Sequence, residues 1–309
     1  MASIQLSVLI LSLFLLQLFS GTLSTTFTIT NQCSYTVWPG ILSGAGTPHI
    51  PETGFILQPG QSTSIAVPVS WSGRLWGRTL CTTDSNTTGT FSCVTGDCGS
   101  GNLQCSGSGA TPPATLAEFT LNGAGGFDYY DVSLVDGFNI PMMIAPQGGT
   151  GQNCSVTDCS ADLNKACPTE LQVAKQVNDG NIVGCKSACL AFGEPQYCCS
   201  GAFSTPDKCK PNSYSLSFKN ACPKAYSYAY DDGTSTFTCM KADYVITFCP
   251  GADTNANNNP GFLTIRKSPA FRWTIGHARS GSSHKVKSTF LGSAIVVSAA
   301  VWQLWAQFL

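Results

Sequence analysis

The sequence predicts a mainly β domain: an all-β sandwich carrying small disulfide-rich insertions, made for an oxidising compartment. Three observations carry that expectation. Only 11% of the 309 residues are charged while 43% are hydrophobic, enough for a packed core and too few charges for a disordered chain. The 31 glycines and 17 prolines break the apolar runs into pieces too short for a helical bundle. The 16 cysteines are an even number, as disulfide frameworks require.

The two ends read as processing segments. Met1 to Ser24 carries no charged side chain, and Ile4 to Phe19 is mostly Leu, Ile, Val and Phe. With small residues at Thr22 and Ser24, residues 1–24 are expected to be a secretory signal peptide. At the other end, Phe290 to Leu309 is an apolar stretch of 20 residues. His284, Lys285 and Lys287 precede it, and Ser280, Gly281, Ser282 and Ser283 precede those. Small residues, a polar spacer and an apolar tail form a glycosylphosphatidylinositol-anchor signal, with Ser280 as attachment site. The rival is a membrane-spanning tail, since about 20 apolar residues cross a bilayer. Residues 251–283 then read as a linker and 284–309 as the anchor signal or transmembrane tail. Between Thr25 and Pro250 lie 10 Lys/Arg against 16 Asp/Glu, a net charge of −6 that the whole-chain value of −1 conceals. An acidic domain does not suit nucleic acid.

Period-2 alternation marks the strands. Phe27 to Val37 alternates and is rich in Thr, Val and aromatic residues, a strand-pair signal. Ser62 to Val69, Arg74 to Arg78, Thr115 to Leu121, Asp128 to Val135, Thr236 to Met240 and Tyr244 to Phe248 read similarly. The convincing helix is Pro168 to Val177, with Thr169 as a cap; Lys186 to Ala191 is a weaker one. All 16 cysteines fall between Cys33 and Cys249, none two residues from the next, so the Cys-x-x-Cys pattern of zinc and redox sites is missing. Eight disulfides are the simplest reading, and counting alone leaves their connectivity open. No metal or cofactor is expected. His49 is the one histidine outside the tail, where His277 and His284 lie, which leaves a Ser-His-Asp triad a single candidate base. The glycines at 96–109 lack the Lys of a phosphate loop. Asn86-Thr87-Thr88 is a glycosylation sequon on a polar loop, whereas Asn153-Cys154-Ser155 has its central position committed to a disulfide.

Six blocks carry a resemblance: NQCSYTVWPG near the mature start, GRLWGRT at 73–79, GTFSCVTGDCGSGNLQC at 89–105, PPATLAEFTLNG at 112–123, YYDVSLVDGFNIPM at 129–142 and YSYAYDDGTSTFTC at 226–239. Together they closely resemble the thaumatin-like proteins from about Thr25 to Pro250. The resemblance implies a thaumatin-like flattened β-sandwich from about 25–79, 113–159 and 223–250. It also implies a small disulfide loop at 80–112 and a disulfide-rich, partly helical subdomain at 160–222. Its implied bridges are Cys33–Cys249, Cys81–Cys93, Cys98–Cys105, Cys154–Cys239, Cys159–Cys222, Cys167–Cys185, Cys189–Cys198 and Cys199–Cys209.

The family's defence members line an acidic cleft with one Arg, one Glu and three Asp; the matching positions here are Arg74, Glu118, Asp131, Asp136 and Asp231. Asp232 beside Asp231 leaves the last position uncertain by one. Such a groove can accept hydrogen bonds from the hydroxyls of a neutral glucan. Alternatively, a protonated Glu118 with Asp131 or Asp136 as base could cleave a glycosidic bond. Alternation alone puts Asp131 and Asp136 on opposite faces unless the chain bends between them, and Asp136 before Gly137 could simply open a turn. The implied partners are β-1,3-glucan or another wall polysaccharide, and a membrane through the lipid anchor or tail; a monomer is expected. The implied role is a tethered, secreted antifungal defence protein. The alternatives are a weak endo-β-1,3-glucanase and an extracellular interaction domain in signalling.

Overall fold

The computed structural model describes residues 24–84, 89–174 and 180–251. The signal segment to residue 23, Asn86, Ser280 and the apolar tail lie outside the described residues. The linker does too, beyond Gly251.

Four strands open the described chain: β1 (Ser24–Asn31), β2 (Trp38–Ser43), β3 (Ser62–Pro68) and β4 (Ser72–Thr83). β5 (Phe91–Thr95) folds back on β4, and β6 (Leu116–Thr120), β7 (Asp128–Ser133), β8 (Met142–Gln147) and β9 (Thr157–Cys159) follow. The cysteine-rich stretch holds the short hairpin β10 (Gln172–Ala174) and β11 (Ile182–Cys185), then helices α1 (Ala188–Phe192), α2 (Pro195–Cys198) and α3 (Ser213–Ala221). A one-turn α4 (Asp232–Ser235), β12 (Phe237–Cys239) and β13 (Asp243–Phe248) complete it.

The strands form two large sheets, one ordered β3-β1-β13-β8-β9, the other β12-β7-β6-β4-β2 with β5 added on β4. The first and last strands are parallel neighbours, Phe27 opposite Tyr244. Alternation sets which residues turn inward. In β1 they are Thr25, Phe27, Ile29 and Asn31, and in β6 Ala117 and Phe119. Between the sheets Phe27 packs on Phe119 at 4.4 Å between ring centroids, and Tyr244 meets Phe119 and Tyr130 at 5.1 Å each. A second, smaller core lies on the outer side of β4, where Trp76, Leu116, Ala114, Cys98 and Cys105 are buried together.

The alternation of 27–37 stops at Asn31. Its side chain accepts from Cys33 N and donates to Tyr35 O and Leu57 O, all at 2.9 Å, so it turns the chain out of β1. Only Val37, bridged to Leu57, resumes the pairing before β2. β8 carries Pro146 in MMIAPQ, which no period-2 signal marked; β9 pairs only as far as Ile144, so Pro146 sits beyond that ladder.

The cysteines pair as Cys33–Cys249, Cys81–Cys93, Cys98–Cys105, Cys154–Cys239, Cys159–Cys222, Cys167–Cys185, Cys189–Cys198 and Cys199–Cys209.

The helix expected over Pro168 to Val177 does not form among the described residues. Thr169–Leu171 is a single 3₁₀ turn, and Gln172–Ala174 is extended and paired with Ile182–Cys185. The Cys167–Cys185 bridge ties the start of this segment to the strand it pairs with, and Leu171 is fully buried at the turn. Cross-linking and tertiary burial outweigh a local helix propensity worth a few tenths of a kcal/mol per residue, roughly 0–0.7. The weaker helix expected at 186–191 appears as α1, capped by Ser187 and ended by Gly193 in the left-handed region. The longest helix among the described residues is α3. Asn212 and Ser215 form a capping box, and Tyr214, Phe218 and Ala221 fall at helical spacing.

Candidate functional site

The central strands of the second sheet bring three candidate residues into one row. Arg74 of β4 lies opposite Glu118 of β6, and Glu118 lies opposite Asp131 of β7. Their inward neighbours Leu75, Ala117, Phe119, Tyr130 and Val132 are in the core, so the row occupies the outer face. Like charges directly opposite each other are destabilising, so Glu118 beside Asp131 is an arrangement that folding alone would not favour.

Asp136 joins the row because the chain bends. Gly137 N donates to Leu134 O at 2.9 Å, and Gly137 has φ of 85°, a conformation open to glycine at little cost. That turn returns Asp136 to Arg74, with Arg74 Nη1 at 3.8 Å from Asp136 Oδ2. The parity that would have separated Asp131 from Asp136 therefore ends with β7 at Ser133.

All four residues are half-buried. Desolvation is the main reason that the carboxyls of Glu118, Asp131 and Asp136 bind protons more tightly than usual. At Glu118, Arg74 and a hydrogen bond from Ser133 oppose the rise while Asp136 adds to it. At Asp131, pushed well above the usual range, the charges of Glu118 and Asp232 add to burial. Arg74 pulls Asp136 the other way. Asp131 Oδ1 is buried with no hydrogen-bond partner among the described residues. An oxygen in that state gains by meeting a hydroxyl donor.

Asp231 stands immediately before α4. Its Oδ2 accepts from Ser227 N at 2.9 Å and Ser227 Oγ at 3.0 Å, and lies 2.9 Å from Lys219 Nζ. The neighbouring Asp232 is exposed and accepts at 2.9 Å from Tyr226 OH, which also bonds Thr236 Oγ1. Tyr226 runs beside the end of β7, its N bonded to Val132 O and its O to Leu134 N.

The second arginine of GRLWGR has a different fate. Arg78 is fully buried, donating to Trp38 O, Pro39 O and Leu103 O, and burial lowers its pKa to about 10. It pins the small disulfide loop instead of facing solvent.

A carboxyl that binds protons more tightly in the folded than in the unfolded state makes stability fall with rising pH. The contribution is full below the ordinary carboxylate range and is lost as pH rises toward the native pKa. Glu118, Asp131 and Asp136 all act in this direction. The unfolding midpoint in guanidinium is therefore expected to be higher at mildly acidic than at neutral pH. Asp131→Asn should flatten that slope and add on the order of 1–3 kcal/mol at neutral pH by removing a like-charge contact. A wild-type slope of the opposite sign would contradict this account.

The family model described as "Thaumatin family" matches residues 31–250. The chain belongs to the thaumatin family. Its relatives include thaumatin-like protein 1 of Pyrus pyrifolia, 56% identical over 232 residues, which span 75% of this chain and 93% of that one. The PR5-like receptor kinase of Arabidopsis thaliana is 48% identical over 287 residues, spanning 92% of this chain but 41% of the kinase. Among solved structures, the thaumatin-like xylanase inhibitor TLXI is similar at 25% identity and a TM-score of 0.38, over 72% of this chain and 99% of that one. In this thaumatin-family chain the acidic row stands on the second sheet, beside the segment that runs on from the cysteine-rich stretch.

Proposed function

We propose that this chain is a secreted, cell-surface-tethered defence protein that binds β-1,3-glucan through the acidic row, with antifungal action at the fungal wall. The observation that carries the reading is the in-register alignment of Arg74, Glu118 and Asp131, with Asp131 Oδ1 buried and unpartnered. Sugar hydroxyls both donate and accept, so they can satisfy that oxygen and the carboxyls beside it. Asn86 as glycan site, Ser280 as anchor site and the segment 284–309 as anchor signal belong to the same proposal.

Binding without cleavage suits the electrostatics better than hydrolysis. A glycosidase needs one carboxyl held protonated and a second held ionised. Here burial moves Glu118, Asp131 and Asp136 in the same direction, so it does not set one of them apart as acid and another as base. The wild type should sediment with insoluble β-1,3-glucan and release no reducing ends. Glu118→Gln should still sediment, with affinity within a few-fold, because the amide keeps the carboxyl's shape and still hydrogen-bonds sugar hydroxyls. Reducing-end release by the wild type that disappears in Glu118→Gln would make the protein a weak endo-β-1,3-glucanase instead. No sedimentation by the wild type would sink the glucan reading. The extent of its likeness to a receptor kinase favours a second reading, an extracellular interaction domain in signalling.

A further inference from the structure

The turn that carries Asp136 runs on into Phe138, Asn139 and Ile140, which are buried. Asn139 is 4% exposed, and its side-chain amide is engaged at both ends. Its Oδ1 accepts from Thr115 N at 3.0 Å, and its Nδ2 donates to Gly77 O at 2.8 Å and to Thr95 Oγ1 at 2.9 Å. The backbone N of Asn139 and that of Ile140 donate to Thr115 Oγ1 at 3.3 and 3.4 Å. A donor stands at one end of the amide and a carbonyl at the other, so neither a carboxylate nor an apolar side chain of the same size satisfies both.

Each anchor lies three residues from a member of the acidic row: Gly77 from Arg74, Thr115 from Glu118, and Asn139 itself from Asp136. Three residues of extended chain span about 10 Å. One buried amide therefore joins the strands of Arg74 and Glu118 to the turn of Asp136, and Ala114 N adds a bond to Asp136 O at 3.0 Å. The cysteine-rich stretch grips the same segment. Phe138 N donates to Cys185 O at 2.8 Å and Cys185 N to Phe138 O at 2.7 Å, while Asn164 Nδ2 donates to Asn139 O at 3.1 Å. A Cβ on Gly137 would come within 2.6 Å of Cys185 O and 2.8 Å of Pro113 Cβ, so the two parts meet there in close packing.

We infer that Asn139 is a positioning residue for the acidic row: it sets where Asp136 stands against Arg74 and Glu118, and through it the cysteine-rich stretch bears on the geometry of the row. A buried polar network with its members paired is rigid, which suits that task. The inference rests on the carbohydrate reading for its ligand, though not for its geometry. Arg74 opposes the rise that burial imposes on Asp136, and Asp136 adds to the rise at Glu118, so the place of Asp136 is written into both titrations.

The test uses the secreted protein with Asn139→Ala, with the milder Thr115→Val, and with Val67→Ala, a buried site on the other sheet. All three should lower the thermal midpoint. The place of Asp136 is read by its carboxyl-carbon NMR titration, alone and combined with Arg74→Gln. In the otherwise wild-type protein, Arg74→Gln should raise the Asp136 midpoint. Asn139→Ala should raise it by itself, and Arg74→Gln should then add little, because the pair has already come apart. Thr115→Val should shift it the same way by less, and Val67→Ala should leave it in place. Sedimentation with insoluble β-1,3-glucan should weaken about tenfold in Asn139→Ala, the scale of a hydrogen bond to a charged group, and hold in Val67→Ala. An Asp136 midpoint unchanged in folded Asn139→Ala, or moved as far in Val67→Ala, overturns the assignment. Should Asn139→Ala not fold, an Asp136 midpoint that stays at the wild-type value in Thr115→Val overturns it instead. If the wild type itself does not sediment with glucan, the carbohydrate reading fails, and the titration still decides whether Asn139 places Asp136.

Discussion

Replacing Cys33 and Cys249 together by alanine is expected to lower stability by about 5 kcal/mol, the largest loss for any one bridge. The reason is span. This bridge joins residues 216 apart, so it closes nearly the whole described chain, whereas Cys98–Cys105 closes a separation of 7. In the chain-entropy model the penalty removed from the unfolded state grows with the logarithm of loop length, so the short bridge should contribute about half as much. For a domain of this size that corresponds to a fall in the unfolding midpoint of roughly 10–20 °C. The fold itself should survive, because β1 and β13 remain backbone-paired from Phe27 and Tyr244 to Asn31 and Phe248. Scanning calorimetry of the two double variants under non-reducing conditions measures the difference. Equal losses would show that strain or residual unfolded structure, not span, governs these bridges.

Phe119→Ala should cost about 3–5 kcal/mol, the range for deleting a buried aromatic ring and leaving its cavity. Phe119 is 3% exposed and stands where the sheets meet, in ring contact with Phe27, Tyr130 and Tyr244. Its strand also presents Glu118 on the opposite face. Well below the midpoint the variant should bind glucan nearly as the wild type does, since Glu118 is held in register by pairing with β4 and β7. Denaturant unfolding and glucan sedimentation on one preparation separate the effects. Binding lost from a folded Phe119→Ala protein would mean that core packing, rather than strand register, sets the carboxyl positions.

Within the site, legibility varied from residue to residue. Glu118 could be placed on the face opposite Phe119 by alternation, because the strand is regular there. Asp136 could not be placed the same way, because a turn at Gly137 interrupts the period of two. Arg74 and Arg78 share one parity within GRLWGR, yet Arg74 lies by Asp136 and Arg78 is sealed under the loop at 98–105. Nothing in that hexapeptide distinguishes them, since what covers Arg78 comes from 25 residues away. Asp231 and Asp232 are separated only by a lysine 12 residues earlier in the chain, whose choice of partner is a matter of three-dimensional reach.

Composition, alternation and cysteine number were enough to determine a β-rich, cross-linked domain and most of its strands, because burial on one sheet face and an oxidising environment each leave a local mark. The helix expected at 168–177 and the true one at 213–221 show the limit. Short helices follow their caps and their bridges more than their propensities. Only the tertiary structure decided which outward-facing charges became neighbours, because that depends on strand register and on which loop lies over each strand. Those contacts join residues tens of positions apart, and no window along the chain contains them.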